Sequence, residues 1–305
     1  MFKTGSARKP KFGAAMEPSQ LFNLSVLANA LALASLLTIL SSGLALIFGL
    51  RDVMNFAHGA LYMAGAYLGF TLTTVLNFWV ALLMVPLMLA VVGVVFELAV
   101  LRPLRNRSHM DLALITFGLA LIIGKGVTLA WGTQPLPVAA PAVLAGSVDI
   151  FGELYPVYRL FLIAVGFGTC AALALWLRFS RSGMHVRAVS VRPDVARMMG
   201  VNTDRLGFVV VCLGTGFAGL AGVLAGPYLS VDPGMGASVL ISCLIVVVVG
   251  GLGSIGGAIA AAVVYGFIQV AGSIVLPGVA VLAPYLLLFV VLLVRPQGFG
   301  KGRVG

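Results

Sequence analysis

"GLALIFGLRDVMNFAHGALYMAGAY", residues 43–67, joins the end of one long apolar run to the start of another. A flexible spacer would serve to connect two helices. Instead the junction holds Arg51, Asp52, Asn55 and His58, then Gly59 and a pattern of aromatic and small residues. The flanking runs decide the fold class. A helix needs roughly 20 residues to cross a hydrocarbon core about 30 Å thick. Apolar runs recur near 24–50, 56–76, 78–100, 111–131, 157–178, 207–229, 237–250, 255–276 and 279–294. The 305 residues are 61% hydrophobic and 9% charged, with a mean hydropathy of +1.12. Soluble domains carry about 25% charged residues, and a soluble chain of this length could not bury so much apolar surface. The expected fold is all-α: a polytopic transmembrane helical bundle of about 8 membrane-spanning helices, with one or more broken or re-entrant segments.

The net charge of +10 is clustered: Lys3, Arg8, Lys9 and Lys11; Arg102, Arg105 and Arg107; Arg178 through Arg205; then Arg295, Lys301 and Arg303. Short basic loops between apolar runs follow the positive-inside rule, so the expected surroundings are membrane lipid, with no nucleic acid. Cys170, Cys212 and Cys243 fall in apolar runs and read as small core hydrophobes, with no metal-site or disulfide spacing. The first run, about 27 residues, is too long for a signal-peptide core and is expected to be retained. This divides the chain into a basic flexible extension (1–20), a transmembrane domain (21–296) with a polar loop at about 179–206, and a basic cytoplasmic tail (297–305). The linker 132–156, with Pro135, Pro137, Pro141 and Pro156 and the acidic Asp149 and Glu153, is expected outside.

Parity is awkward. Three runs precede Arg102, which would put the basic N-terminus on the side opposite the basic loops. Either Ser41-Ser42-Gly43 breaks the first run into two helices, or one segment is re-entrant. Irregular backbone at membrane depth is tolerated only where protein buries it or it lines a cavity.

Two stretches besides 51–67 stand out. "GGLGSIGGAIAAAVVYGF", 250–267, is a Gly-rich break (Gly250, Gly251, Gly253, Gly256, Gly257) opening a small-residue helix. Gly59-Ala60 precedes Tyr67 as Gly257-Ala258 precedes Tyr265, a spacing that would suit a repeat. "RFSRSGMHVRAVSVRPDVARMMGVNTDR", 178–205, carries six arginines around Asp194 and Asp204. Pro193 and Gly200 bracket a short predicted helix, "PDVARMMG", which offers Val195, Met198 and Met199 as apolar contacts for a docking partner. An unoccupied positive-inside loop is the simpler reading.

In the junction itself, Asn55 and His58 can donate and accept hydrogen bonds without a fixed charge, and a helix start at Gly59 would present free amides. The alternative is ordinary interfacial placement of Arg51 and Asp52, with His58 as a cap. Glu97 is expected to pair with Arg102, Arg105 or the cytoplasmic loop. Lys125 is costly in an apolar run and is expected to snorkel. "GLALIIGKG", 118–126, lacks the spacing and the Ser or Thr of a phosphate loop. Gly65/Gly69, Gly222/Gly226 and Gly253/Gly257 are spacings for close helix packing.

These residues together carry a resemblance. "GLALIFGLRDVMNFAHGALYMAGAY", "LRPLRNRS", "RAVSVRPDVARMMGVNTDRLGFVVVCLGTGFAGLAGVLAG" and "VVVVGGLGSIGGAIAAAVVYGF", in that order, resemble the blocks of branched-chain amino-acid ABC transporter permeases of the high-affinity LIV type, over roughly residues 24–300. The resemblance implies a permease subunit of the bacterial inner membrane that pairs with a second, homologous permease subunit. Two cytoplasmic ATP-binding subunits would supply ATP hydrolysis, with ATP and magnesium bound there and no cofactor in this chain. A periplasmic substrate-binding protein would deliver leucine, isoleucine or valine. The resemblance places Asn55, Phe56, Ala57, His58, Gly59 and Tyr62 along the substrate path, and Ala188, Asp194, Ala196, Arg197, Met199 and Gly200 in the coupling loop. Ala60 and Lys125 depart from the usual pattern and leave urea or short-amide permeases open. An ion-coupled transporter would want an intramembrane carboxylate, for which Glu97 is the one candidate. An enzyme would want clustered titratable groups, whereas His58, His109 and His185 are scattered.

Overall fold

The computed structural model describes residues 24–300 except 105, 106, 151 and 276. The expected extension at 1–20, and residues 301–305 of the expected tail, lie outside the described residues.

α1 (Leu24–Arg51) is one uninterrupted helix of 28 residues. The break expected at Ser41-Ser42-Gly43 does not occur, and the reason is packing. Ser42 Oγ donates to the Ile39 carbonyl of its own helix (3.0 Å), and Ser41 Oγ donates to Cys243 Sγ (3.4 Å). A Cβ on Gly43 would stand 3.0 Å from the Gly214 carbonyl oxygen. Small residues here admit neighbouring helices and satisfy their own hydroxyls locally. α1 ends on Asp52, whose φ of 57° is left-handed and whose N–H donates to the Phe48 carbonyl (2.8 Å). Asp tolerates that conformation better than most residues.

The chain continues through α2 (Ala57–Val75), α3 (Phe78–Phe96) with a π-helical turn at Glu97–Leu101, and α4 (His109–Trp131). A short hairpin, β1 (Ser147–Ile150) and β2 (Glu153–Pro156), leads into α5 (Val157–Phe179). Then come α6 (Arg181–Val191), α7 (Pro193–Met198), α8 (Thr203–Leu229), α9 (Met235–Gly250), α10 (Ile255–Val275) and α11 (Ala283–Val294).

Among the described residues six helices, α1, α3 with its π-helical turn, α4, α5, α8 and α10, are long and apolar enough to cross a membrane. The apolar cores of α1 and α8 are 83% and 67% buried, against 17–28% for the other four, so α1 and α8 are the central pillars. α2, rich in Gly, Ala, Tyr and Thr, is not among the six; it is wrapped by other helices and has little lipid surface to satisfy. Its Gly65 and α8's Gly219 and Gly222 sit in backbone contact, as small-residue spacing demands.

The two ends of the bundle differ. Arg51, Arg102, Arg107, Arg178, α6, α7 and Arg295 gather at one, the basic end. At the far end the Ser25 N–H donates to Glu153 Oε2 (3.1 Å), Leu136 pairs with Val231, and Trp131 Nε1 donates to Thr71 Oγ1 (2.9 Å). Thus α1 begins opposite the basic loops, α1 and α3 each run between the ends, and residues 52–75 return the chain from the basic end to the far end.

The Gly-rich break lies between α9 and α10, with Gly251 and Gly253 at φ of 95° and 79°. Residues 297–300 of the expected tail fold back onto it. The Phe299 N–H donates to the Val249 carbonyl (2.9 Å) and the Gly300 N–H to that of Gly250 (2.8 Å), which satisfies the last carbonyls of α9. Gly257 packs on Gly250 at the basic end, whereas Gly59 packs on Gly236, deep in the bundle. The stretches proposed as a repeat therefore occupy different depths.

Candidate functional site

Why the junction at 51–67 is polar follows from where it runs. His58 Nε2 donates to the carbonyl of Leu40 (3.1 Å), eleven residues up α1 from Arg51. At 1.5 Å per residue that is a climb of about 16 Å from the basic end. Beyond Asp52, whose N–H still bonds back to Phe48, residues 53–56 make this climb without helical hydrogen bonds, so their polar groups need other partners. The Phe56 N–H donates to Thr116 Oγ1 of α4 (3.2 Å), and Thr116 Oγ1 donates to Ala113 O (3.0 Å). Asn55 Oδ1 accepts from the Ala57 N–H (3.0 Å), and the Asn55 carbonyl accepts from the His58 N–H (3.2 Å), which closes the first turn of α2. Asn55, Thr116 and His58 thus fasten an irregular segment inside the bundle, the one setting in which such backbone survives at depth. Thr116 was not singled out in the sequence; its only signal is a lone hydroxyl in "LALITFGLAL".

Asn55, Ala57, His58, Gly59 and Tyr62 are all buried, and Phe56 is half-buried. His58 Nδ1, Asn55 Nδ2 and the Tyr62 hydroxyl have no hydrogen-bond partner among the described residues. A Cβ on Gly59 would collide with the Gly236 carbonyl and with Leu240. α9 therefore begins against the first turn of α2. A second non-helical stretch, Ser230–Gly234, leads to it from the far end, with Asp232 Oδ1 accepting from the Gly234 N–H (2.6 Å). Two irregular segments thus enter from opposite ends, and the first turns of their helices meet.

At the basic end Arg51 and Glu97 form an ion pair, with side chains 15% and 2% exposed. The expected partners of Glu97 were Arg102, Arg105 or the cytoplasmic loop; the π-helical turn after α3 turns its carboxylate toward the end of α1 instead. Lys125 lies exposed on α4, six residues from that helix's far end, where its stem can reach out of an apolar surface.

α7 matches the predicted short helix. Pro193 starts it, the Gly200 N–H donates to the Arg197 carbonyl (2.9 Å), and the Val201 N–H donates to that of Ala196 (3.0 Å). With Gly200 at φ 82°, this is a Schellman cap. Ala196 is buried and anchors the helix, Val195 is 41% exposed, and Met198 and Met199 are each 80% exposed. Ala188 on α6, Asp194 and Arg197 are also exposed, the last two as an open i,i+3 pair at 3.7 Å. α6 was not expected as a helix; its charged residues hide an apolar stripe, Val186 and Val189, that packs on the bundle.

Between α7 and the 52–56 segment lies a cavity of about 670 Å³. Arg51, Asp52 and Val53 form one wall, Arg107, His109 and Leu112 another, and Pro193, Arg197, Thr203 and Asp204 the side toward α7 and α8. The raised helix and the fastened segment thus border one space.

Comparison with known proteins places this architecture. The high-affinity branched-chain amino acid transport system permease protein LivH of Salmonella typhimurium is 27% identical over 300 residues, covering 93% of this chain and 97% of that one. LivH of Escherichia coli is 28% identical over 301 residues, with the same coverage, and BraD of Pseudomonas aeruginosa 28% over 294 residues, covering 90% and 94%. Among solved structures, PsaBC from Streptococcus pneumoniae in complex with Fab shares the fold, at a TM-score of 0.50 and 16% identity over 92% of this chain and 95% of that one. Residues 26–294 match the family described as the branched-chain amino acid transport system permease component, and with almost the whole membrane domain inside that match, the chain belongs to this family.

Proposed function

We propose that the chain is the membrane-spanning half of an ATP-driven importer for leucine, isoleucine and valine in the bacterial inner membrane. It pairs with a second, homologous permease subunit. Two ATP-binding subunits dock on its basic, cytoplasmic end, and a periplasmic binding protein delivers the solute at the far end. ATP and magnesium belong to the docked subunits. Orientation follows the arginine-rich end, which the positive-inside rule assigns to the cytoplasm.

The observation that carries this reading is α7. A six-residue helix, started by Pro193, capped at its C-terminus by Gly200 and anchored by Ala196, holds Met198 and Met199 almost fully out of the bundle. An exposed apolar tip ringed by arginines fits insertion into a partner's groove. The bracketed segment supplies the gate: helices whose first turns meet at depth after irregular stretches are a recurrent device in transporters. In this conformation the motif residues bury themselves against α1, α4 and α9, so their role is to hold and release the crossing of α2 and α9 at Gly59 and Gly236. Glu97, paired with Arg51 at the basic end, does not supply the lone intramembrane carboxylate an ion-coupled transporter needs.

The test is ATP-driven uptake of labelled leucine by the reconstituted complex, with valine, urea and a short amide as competitors. Competition by valine alone is expected. Uptake of urea or amide with no leucine uptake would move the substrate, and uptake without ATP would overturn the mechanism.

A further inference from the structure

Of the six spanning helices α4 is the least buried, at 17% of its apolar core, and it leans on α2. Its inner face is fixed by Leu112, Thr116 and Val127, all buried. Lys125 lies nine residues beyond Thr116, two and a half turns at about 3.6 residues per turn, and so points away from that face. Along the same outer face Leu114, Gly118, Leu121 and Lys125 follow at steps of four, three and four residues, and Leu129 extends the line. That is the spacing of a seam along which a second helix lies, with Gly118 and Lys125 at equivalent positions one heptad apart. The three leucines and Lys125 are exposed, and a Cβ on Gly118 would meet nothing within 4 Å. The seam stands open.

The outer faces of α3 and α11 differ from it. Leu83, Leu87, Val91 and Val95 on one, and Leu286, Phe289 and Leu293 on the other, are exposed and wholly apolar, which suits acyl chains. The face of α4 instead carries a charge about 9 Å inside the helix's far end. Lys125 has no hydrogen-bond or ion-pair partner among the described residues. Asp111, on the same helix, is fourteen residues back, about 21 Å toward the basic end.

We propose that this seam of α4 is where the second permease subunit packs, and that the facing helix of that subunit brings a carboxylate to Lys125. The inference rests on the pairing reading above. Bare to lipid, the lysine stem reaches toward headgroups. Under a second helix the ammonium is shut into an apolar contact, where an unpaired charge is costly and a matched one fixes register. A second copy of the same seam, related by a two-fold axis along the membrane normal, would set Lys125 against Lys125, so the complementary helix is a different one. Position gives the contact a consequence. α4 also holds the backbone of Phe56 through Thr116 Oγ1, so a partner gripping its outer face stands one helix from the gate. Movement between the two permeases then reaches residues 53–56 through α4.

The test uses the whole complex, with the second permease recovered by a tag on this chain. Lys125→Glu and Gly118→Leu should each lower that recovery about tenfold or more, since like charge or bulk in a packed seam opposes the contact. Neither position supports its own subunit, so membrane insertion of this chain should not change. In native membranes a membrane-permeant carbodiimide should join Lys125 to an acidic residue of the second permease as an amide, identified by peptide mass. Lys125→Arg keeps the charge but cannot form that amide, so the product should vanish while recovery holds. Recovery unchanged in both Lys125→Glu and Gly118→Leu gives the face to lipid and overturns the contact. An amide to a second copy of this chain overturns the choice of partner. Full recovery in Lys125→Leu with a raised KM for leucine hands Lys125 to the solute's carboxylate and overturns the ion pair. If the unsubstituted chain recovers no second permease, the pairing reading itself has failed, and the seam falls with it.

Discussion

At the scale of single residues, the protein uses absence and pairing more than charge. Gly59 is the clearest case of absence. Its missing Cβ is where the Gly236 carbonyl and Leu240 sit, so Gly59→Val should lower the melting temperature and the yield of the detergent-solubilised protein, at a cost of about 1–3 kcal/mol for overpacking. Gly118, on α4, meets nothing within 4 Å, and Gly118→Ala should leave melting unchanged or raise it, since Ala is better in a helix by up to about 1 kcal/mol. Equal effects at the two positions would refute the close crossing of α2 and α9. Pairing is represented by Arg51 and Glu97. Arg51→Met strands a buried carboxylate and should cost about 3–5 kcal/mol, whereas the double change Arg51→Met with Glu97→Met should recover most of it. Melting curves of the three proteins check this; a double variant no better than the single would show that shape, and not charge, holds that corner. The pair was not legible in sequence, because 46 residues separate its members and the π-helical turn that aims Glu97 has no sequence signature of its own.

Elements were legible where an apolar run alone specifies them. The run read at 255–276 is α10, Ile255–Val275, and the run at 24–50 is α1, Leu24–Arg51. The coupling segment was half legible. Pro193 and Gly200 mark α7 because their backbone preferences act locally, but α6 passed as polar loop, since six of its eleven residues are Arg, Ser, Gly or Ala and its packed stripe is only two valines wide. The candidate site was legible as a location and not as a geometry: Asn55 and His58 announced themselves, while Thr116, which holds the backbone of Phe56, belongs to another helix. For α7 the prediction concerns its cap. Gly200 has φ 82° and open space around it, so Gly200→Val strains the backbone by roughly 1–2 kcal/mol without colliding with anything. Membrane insertion and global melting should therefore hold, while the ratio of solute moved to ATP hydrolysed falls. Normal coupling in that variant would remove α7 from the docking role.

For the whole molecule, the open matter is direction, and sequence and structure disagree about it in an informative way. The basic residues of the extension, Lys3, Arg8, Lys9 and Lys11, invite a cytoplasmic N-terminus. The paths of α1, residues 52–75 and α3 between the two ends, and the contact between Ser25 and Glu153, put the start of α1 at the other end from Arg102, Arg178 and Arg197. Orientation is set by the sum of charges flanking the helices, and the segment from Arg178 to Arg205 alone brings six arginines to the basic end against four basic residues in the extension, close to the mouths of α5 and α8. The larger cluster should win. Val143 on the far-end linker and Met198 on α7 are 79% and 80% exposed, so both accept a probe without disturbing the core. In a background with Cys170, Cys212 and Cys243 changed to Ala or Ser, Val143→Cys should react with a membrane-impermeant maleimide in cells whose inner membrane is intact. Met198→Cys should react only after that membrane is opened. The reverse pattern would invert the molecule, turn α7 away from any cytoplasmic ATP-binding subunit, and make the four extension residues the ones that decide its topology.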